Sequence, residues 1–170
     1  MSEDKNLFGK YFEKYKDDVY RVAFYYTGNR DDAEDLVQNA FIRAYKFFSH
    51  FKKDTNFKSW ILKIMRNIYI TENKKKGRYK ELFTEVEISD SNSKSLTEEL
   101  IDNVATVEVR KAILMLPKEF REVIILSDIE GLMYEDIARI IKIPVGTVRS
   151  RLHRGRLLLK EKLEDKINAK

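Results

Sequence analysis

Apolar residues recur at steps of three and four along most of the chain, and this pattern predicts an all-α protein. Over residues 7–26 and again over residues 57–75, the steps place aromatic and aliphatic side chains on one stripe of an amphipathic helix. Another helix is predicted between them, with Asn29 as its N-cap and acidic residues in its first turn. A polar loop near residues 50–56 follows it. Strict alternation is confined to residues 85–88, so no β-sheet is expected.

The C-terminal half contains four more predicted helices. Ser95 and Glu98 have the spacing of a capping box, which predicts a helix from there to about residue 116. Pro117 stands at a favourable first-turn position for a helix through Ser127. The last two predicted helices cover residues 134–142 and 145–167, and IPVG at residues 143–146 forms the turn between them.

Charge divides the chain into three segments. The net charge is +5, but residues 1–80 hold 18 Lys/Arg against 11 Asp/Glu, residues 81–106 hold 1 against 7, and residues 107–170 hold 14 against 10. Basic modules around an acidic connector suit a polyanionic partner, although solvated charged faces produce the same pattern.

The middle segment has the composition of a linker. Residues 80–96 are rich in Ser, Asp and Asn and show no sustained helical period. We therefore predict two small helical domains, residues 1–79 and 105–170, joined by a flexible acidic linker of residues 80–104.

The sequence excludes several classes of protein. Cysteine is absent, so disulfides and Cys-based zinc sites are ruled out. No run of about 18 apolar residues exists and the first residues are polar, so a cytoplasmic protein is expected. We find no nucleophile–base pair, no glycine-rich phosphate loop and no metal-ligand spacing. The sequence therefore predicts neither an enzyme, nor a cofactor, nor a metal site, nor a small-molecule substrate.

Residues 134–160 have the pattern of a helix-turn-helix. Seven Lys/Arg and no acid occur between residues 139 and 160. Four residues share the predicted outer face of the second helix, namely Arg149, Ser150, His153 and Arg154. The predicted buried stripe of that helix consists of Val148, Leu152, Leu159 and Leu163. A row of cations without acids indicates contacts with phosphates and base edges, because arginine can pair with guanine through two hydrogen bonds.

Other interpretations of this segment are open from the residues alone. The basic helix could be purely structural, or it could belong to a repressor or activator that reads DNA without joining a polymerase. His153 has no second metal ligand nearby, so a metal site is not expected there.

Five segments resemble one family. LPKEFREVI at residues 116–124, EGLMYEDIA at 130–138 and IPVGTVRSRLHR at 143–154 resemble the C-terminal domain of bacterial sigma factors of the extracytoplasmic-function (ECF) group. DAEDLVQNAF at residues 32–41 and FKSWILKIMRN at 57–67 resemble that group's polymerase-binding and promoter-melting segments.

The resemblance implies three sets of binding residues and three partners. Core RNA polymerase would be bound by Asp32, Asp35, Leu36, Gln38, Asn39 and Phe41. The promoter −10 element would be bound by Phe51, Lys63, Arg66, Asn67, Lys74, Lys75 and Arg78. The −35 element would be bound by Thr147, Arg149, Ser150, Arg151, His153 and Arg154. The implied partners are core polymerase, promoter DNA and an inhibitory anti-sigma factor attached to the membrane.

The resemblance also implies a spacing and a missing cap. In the family the two promoter elements lie roughly 55 Å apart at 3.4 Å per base pair, and about 20 linker residues reach at most ~65 Å. Met133 stands where the family usually has Ser or Thr, so the helix from residue 134 is predicted to lack a side-chain cap.

Overall fold

The structure, a computed structural model, describes residues 2–75 and 107–168. Every regular element within these two ranges is helical, which confirms the all-α prediction. The linker of residues 80–104, both domain boundaries, Arg78 and the capping box at Ser95 lie outside the described residues. None of the described helices has the length and apolar character needed to cross a membrane.

The N-terminal region, residues 2–75, consists of three helices. They are α1 (Ser2–Thr27), α2 (Arg30–Lys46) and α3 (Phe57–Lys75), with a 3₁₀ turn at Phe48–His50. The chain begins α1 five residues earlier than predicted. Those first residues are exposed and polar, so the pattern of apolar residues does not include them. The acidic side chains of the first turn stabilise the helix there, because they lie at the positive end of its dipole.

The predicted cap of α2 is confirmed. Gly28 ends α1 with a φ of 77°, a conformation that glycine adopts without strain. Asn29 then accepts a hydrogen bond from the Asp32 backbone N–H at 2.9 Å, and its own amide donates to the Asp32 carboxylate at 2.8 Å. The turn and the cap together set the angle at which α2 returns along α1.

Aromatic rings fill the core between these helices. The rings of Tyr11 and Phe57 stack with centroids 4.5 Å apart, and Phe51 lies 4.9 Å from Trp60 and 5.4 Å from Phe57. Phe8 makes edge contacts with Phe57 at 6.2 Å. Such pairs stabilise a core beyond the area that they bury, so the loop between α2 and α3 is held against α1.

The C-terminal region, residues 107–168, has four helices. They are α4 (Val107–Leu114), α5 (Lys118–Ile124), α6 (Tyr134–Ile141) and α7 (Val145–Asn168), and α5 continues into a π-helical turn at Ile125–Ile129. The predicted helix through residue 127 therefore changes its hydrogen-bond pattern before it ends. Lys142 closes α6 in the left-handed conformation, with a φ of 64°.

Helix α7 packs on α5 along the predicted stripe and at one glycine. Val148 and Leu152 are buried, and Leu159 is half-buried. Gly155 is buried too. A Cβ at this position would lie 3.0 Å from Ile124 Cδ1 and 3.2 Å from Phe120 Cβ, so α5 leaves little room for a side chain there. The missing side chain brings the middle of α7 close to α5.

The two regions share one contiguous core. Their buried apolar residues form a single cluster in which α3 packs against α6, and α1 touches the π-helical turn. The C-terminal region thus lies directly on the promoter-melting segment that the resemblance assigns to α3.

A substitution at Met133 tests the account of the α6 cap. Met133 is the N-cap of α6, is 68% exposed and makes no side-chain capping hydrogen bond, as predicted. Its backbone is already extended, the conformation that a capping serine requires. We expect Met133→Ser to raise the free energy of unfolding by about 1 kcal/mol in urea titrations. Met133→Ala is the matched control, and equal stability of the two variants would contradict the account.

Candidate nucleic-acid interface

Helix α7 presents a polar row to solvent. Arg149, Ser150, His153 and Arg154 are all exposed, whereas Arg151 is half-buried. The Ser150 hydroxyl donates to the Thr147 carbonyl at 3.1 Å. The Arg154 guanidinium lies 5.7 Å from the centre of the Phe120 ring, a cation–π distance. The row therefore lies where the helix-turn-helix pattern predicts it, at the start of the second helix.

Not all seven cations of this segment contribute to a positive surface. Arg156 pairs with Asp128 through two hydrogen bonds of 2.6 and 3.0 Å, which raises the pKa of Arg156. Arg139 pairs with Asp136, and Lys160 Nζ lies 3.9 Å from Glu164. The remaining cations have no carboxylate partner within the described part of the chain: Lys142, Arg149, Arg151 and Arg154. The positive surface is narrower than the composition suggests, and Arg149 and Arg154 of the exposed row belong to it.

The residues assigned to the −10 element are in different environments. Lys63, Lys74 and Lys75 are exposed on α3, and Asn67 is half-buried. Phe51 is 6% exposed, and its ring is enclosed by the aromatic core. In this arrangement the phenyl ring offers little surface to a base.

Arg66 is held by the C-terminal region. Its guanidinium donates through Nε and Nη2 to the two carboxylate oxygens of Glu122 on α5, the second bond at 3.4 Å. The hydroxyl of Tyr26 on α1 also donates to Glu122, at 2.6 Å. Burial and the neighbouring carboxylate raise the pKa of Tyr26 well above its usual range, so the phenol keeps its proton.

A second buried acid joins the same two regions. The Glu130 side chain is fully buried and accepts a hydrogen bond from Arg21 on α1 at 2.9 Å. Its other carboxylate oxygen forms an ion pair with Lys58 on α3, whose Nζ lies 2.7 Å away. Lys58 Nζ also donates to the Glu130 carbonyl at 3.1 Å, and Asp18 lies within 3.5 Å of both cations. Two carboxylates of the C-terminal region are therefore matched to three cations of the N-terminal region.

Sequence reasoning missed Glu122 and Glu130. The available signal was their place among apolar residues, Glu122 within FREVI and Glu130 before Gly131, since acids in such positions require a partner. Lys118, on the same face of α5, is 6% exposed, and burial lowers its pKa to about 8.

Helix α2 carries the residues assigned to core polymerase. Asp32, Asp35, Gln38 and Asn39 are exposed. Leu36 and Phe41, assigned to the same surface, are 3% and 5% exposed, because they pack into the core.

An apolar groove of about 550 Å³ runs beside these residues, between α1 and α2. Ile42 and Tyr45 are about half exposed along it, with Phe12 at 36%. They supply the exposed apolar surface that Leu36 does not. Among the described residues, no group of three metal-ligating side chains occurs.

Comparisons with known proteins identify the family of this chain. Residues 11–79 match the family model Sigma-70 region 2, and residues 106–159 match Sigma-70, region 4. The chain resembles the sigma factor RpoE in its complex with the anti-sigma factor NepR from Bartonella quintana, with 28% identity and a TM-score of 0.72. That alignment covers 92% of this chain and 96% of the other.

Two curated relatives are more similar in sequence. ECF RNA polymerase sigma factor SigE of Mycolicibacterium smegmatis is 36% identical over 88% of this chain, which spans 59% of that longer protein. ECF RNA polymerase sigma factor SigW of Bacillus subtilis is 33% identical, and the alignment covers 95% of this chain and 91% of SigW. The chain therefore belongs to the ECF group of RNA polymerase sigma factors.

Proposed function

We propose that this chain binds core RNA polymerase and directs it to promoters, with α7 reading the −35 element and α3 contributing to recognition and melting of the −10 element. The observation that carries the proposal is the exposed arginine row of α7, which lies in the same chain as the acidic, partly apolar surface of α2. In this proposal the polymerase performs the nucleotide chemistry and the sigma factor selects the site. The chain therefore acts where the chromosome is, in the cytoplasm.

The −35 element is assigned to the first turns of α7. A helix of a helix-turn-helix enters the major groove with its N-terminal residues toward the bases. Arg149, His153 and Arg154 are exposed there and carry the hydrogen-bond donors that base acceptors require. Thr147, Ser150 and Arg151 complete the proposed surface and suit contacts with the phosphate backbone.

The −10 element is assigned to α3 and the loop before it. Lys63, Lys74 and Lys75 are exposed, and their charges suit a DNA backbone. Arg66 and Asn67 lie on the same helix, but Arg66 is engaged by Glu122 in the present arrangement. Recognition of this element by Phe51, Arg66 and Asn67 thus requires a rearrangement.

Core polymerase is assigned to the exposed face of α2. Asp32, Asp35, Gln38 and Asn39 supply polar contacts there, while Ile42 and Tyr45 supply apolar area. Polar groups around an apolar centre are the usual composition of a protein–protein interface.

An anti-sigma factor is the proposed regulator. The structurally similar RpoE is bound to one, and this chain aligns with RpoE over nearly its full length. Membrane attachment of that regulator remains a prediction from the family resemblance.

Substitution of Arg149 tests base reading by α7. Arg149→Ala should weaken binding to the −35 site selected from genomic fragments by about 1–3 kcal/mol, or roughly 5- to 150-fold, and should weaken binding to random DNA much less. Fluorescence anisotropy at fixed salt measures both affinities. Lys160→Ala, farther along the same helix, is the matched control. An equal loss on both DNAs would show that Arg149 contacts phosphate alone.

A charge reversal on α2 tests core docking. Asp35→Lys should reduce affinity for core polymerase about tenfold or more, because a rim charge becomes repulsive, while affinity for −35 DNA stays unchanged. Asp17→Lys, an equally exposed acid on α1, controls for net charge. Wild-type affinity of Asp35→Lys for core, or an equal loss with Asp17→Lys, would refute the assignment to α2.

A run-off transcription assay with core polymerase tests the function as a whole. We expect promoter-dependent RNA from a subset of genomic fragments only when the chain is added. Failure on every genomic fragment, together with absence of core binding, would refute the proposal and favour a DNA-binding repressor or activator.

A further inference from the structure

We propose that the C-terminal region inhibits the chain from within, with Glu122 occupying the Arg66 guanidinium that −10 DNA would otherwise use and Glu130 reinforcing the closed arrangement. This inference rests on the proposed function for the role of Arg66. It concerns the chain alone, without a regulator, and identifies the side chains that hold it closed.

Arg66 cannot bind Glu122 and DNA at the same time. Its side chain is 12% exposed, and the Nε and Nη2 edge of the guanidinium is taken by both oxygens of Glu122. A carboxylate held by that edge has the same geometry as a phosphate held by arginine. Glu122 therefore stands where a backbone phosphate would bind, and DNA must displace it.

The two promoter elements lie roughly 55 Å apart along B-DNA at 3.4 Å per base pair. In the closed arrangement α3 packs directly against α6, the first helix of the helix-turn-helix. Both reading surfaces cannot reach one promoter from that position, so the regions must separate. The 31 residues from 76 to 106 can span about 100 Å when extended, which is sufficient.

Burying Glu122, Glu130 and their cations removes their hydration, and this loss offsets much of the attraction between them. Separation of the regions returns all of these groups to water. The ion pairs therefore add little to the net cost of opening, and the apolar area shared by the two regions sets most of that cost.

The two reading surfaces also differ in access. Arg149, His153 and Arg154 remain exposed in the closed arrangement, while Arg66 does not. Closure should consequently leave affinity for double-stranded −35 DNA unchanged and suppress the steps that depend on the −10 element.

Small-angle X-ray scattering of the full chain tests the latch. The wild type should have a radius of gyration near that of a compact 170-residue protein, about 16 Å. Glu122→Gln combined with Glu130→Gln should increase it by several ångström, because both interregion ion pairs lose their charge. Asp128→Asn is the matched control, since it breaks the Arg156 pair within the C-terminal region alone. Arg21→Gln with Lys58→Gln provides a second route to the open state, should the first pair of substitutions prevent folding.

The run-off assay tests inhibition. If the wild type is closed about 90% of the time, the open variant should reach half-maximal transcription at about one-tenth of the wild-type concentration. Maximal transcription and affinity for −35 DNA should not change. Exchanging the two partners, Arg66→Glu with Glu122→Arg, should keep the compact radius of gyration because the ion pair is retained. It should abolish −10-dependent transcription, since α3 no longer carries the cation.

The outcomes separate the latch from the proposed function. If neither double glutamine variant has a larger radius of gyration than the wild type, the proposed latch is wrong. If the radius increases but the concentration for half-maximal transcription does not change, the proposed inhibition is wrong. A chain that opens on substitution yet never supports transcription would refute the sigma function and, with it, the inhibitory role, while the latch itself would stand as measured.

Discussion

The Glu122 carboxylate is the contact on which the arrangement of this chain depends. It is 4% exposed and receives hydrogen bonds from Tyr26 on α1 and Arg66 on α3, so it ties α5 to two helices of the other region. A buried acid is tolerated only while such donors stay in place, because losing one leaves an uncompensated charge. Because these donors belong to the N-terminal region, Glu122 is buried with its partners only when the two regions are in contact.

That contact gives the two proposed DNA-reading surfaces different environments in a single structure. The arginine row of α7 faces solvent, held in place by the close approach of α7 to α5 at Gly155. The cations of α3 are divided, with Lys63 exposed and Arg66 and Lys58 engaged by acids of the C-terminal region. Under the proposed function, affinity for double-stranded DNA and promoter melting are therefore separable.

Local features were predictable from the sequence, and distant pairings were not. The spacing of apolar residues predicted the helices. The residue types at the helix starts predicted the Asn29 cap and the absence of a side-chain cap at Met133, since a cap depends only on residues within one turn. The partners of Glu122 lie 56 and 96 positions away, and Arg21 lies 109 positions from Glu130. Periodicity carries no information about such pairs. For the same reason, Arg156 was counted toward a positive face although Asp128 neutralises it.

The distance between α3 and α6 in two states of the protein tests the central claim most directly. The chain has no cysteine, so spin labels can be attached to Cys introduced at two exposed positions, Thr71 on α3 and Arg139 on α6. Pulsed electron paramagnetic resonance should give a short distance in the free chain and one approaching ~55 Å in the complex with core polymerase and promoter DNA. The same short distance in both states would contradict the claim that this sigma factor must open to work.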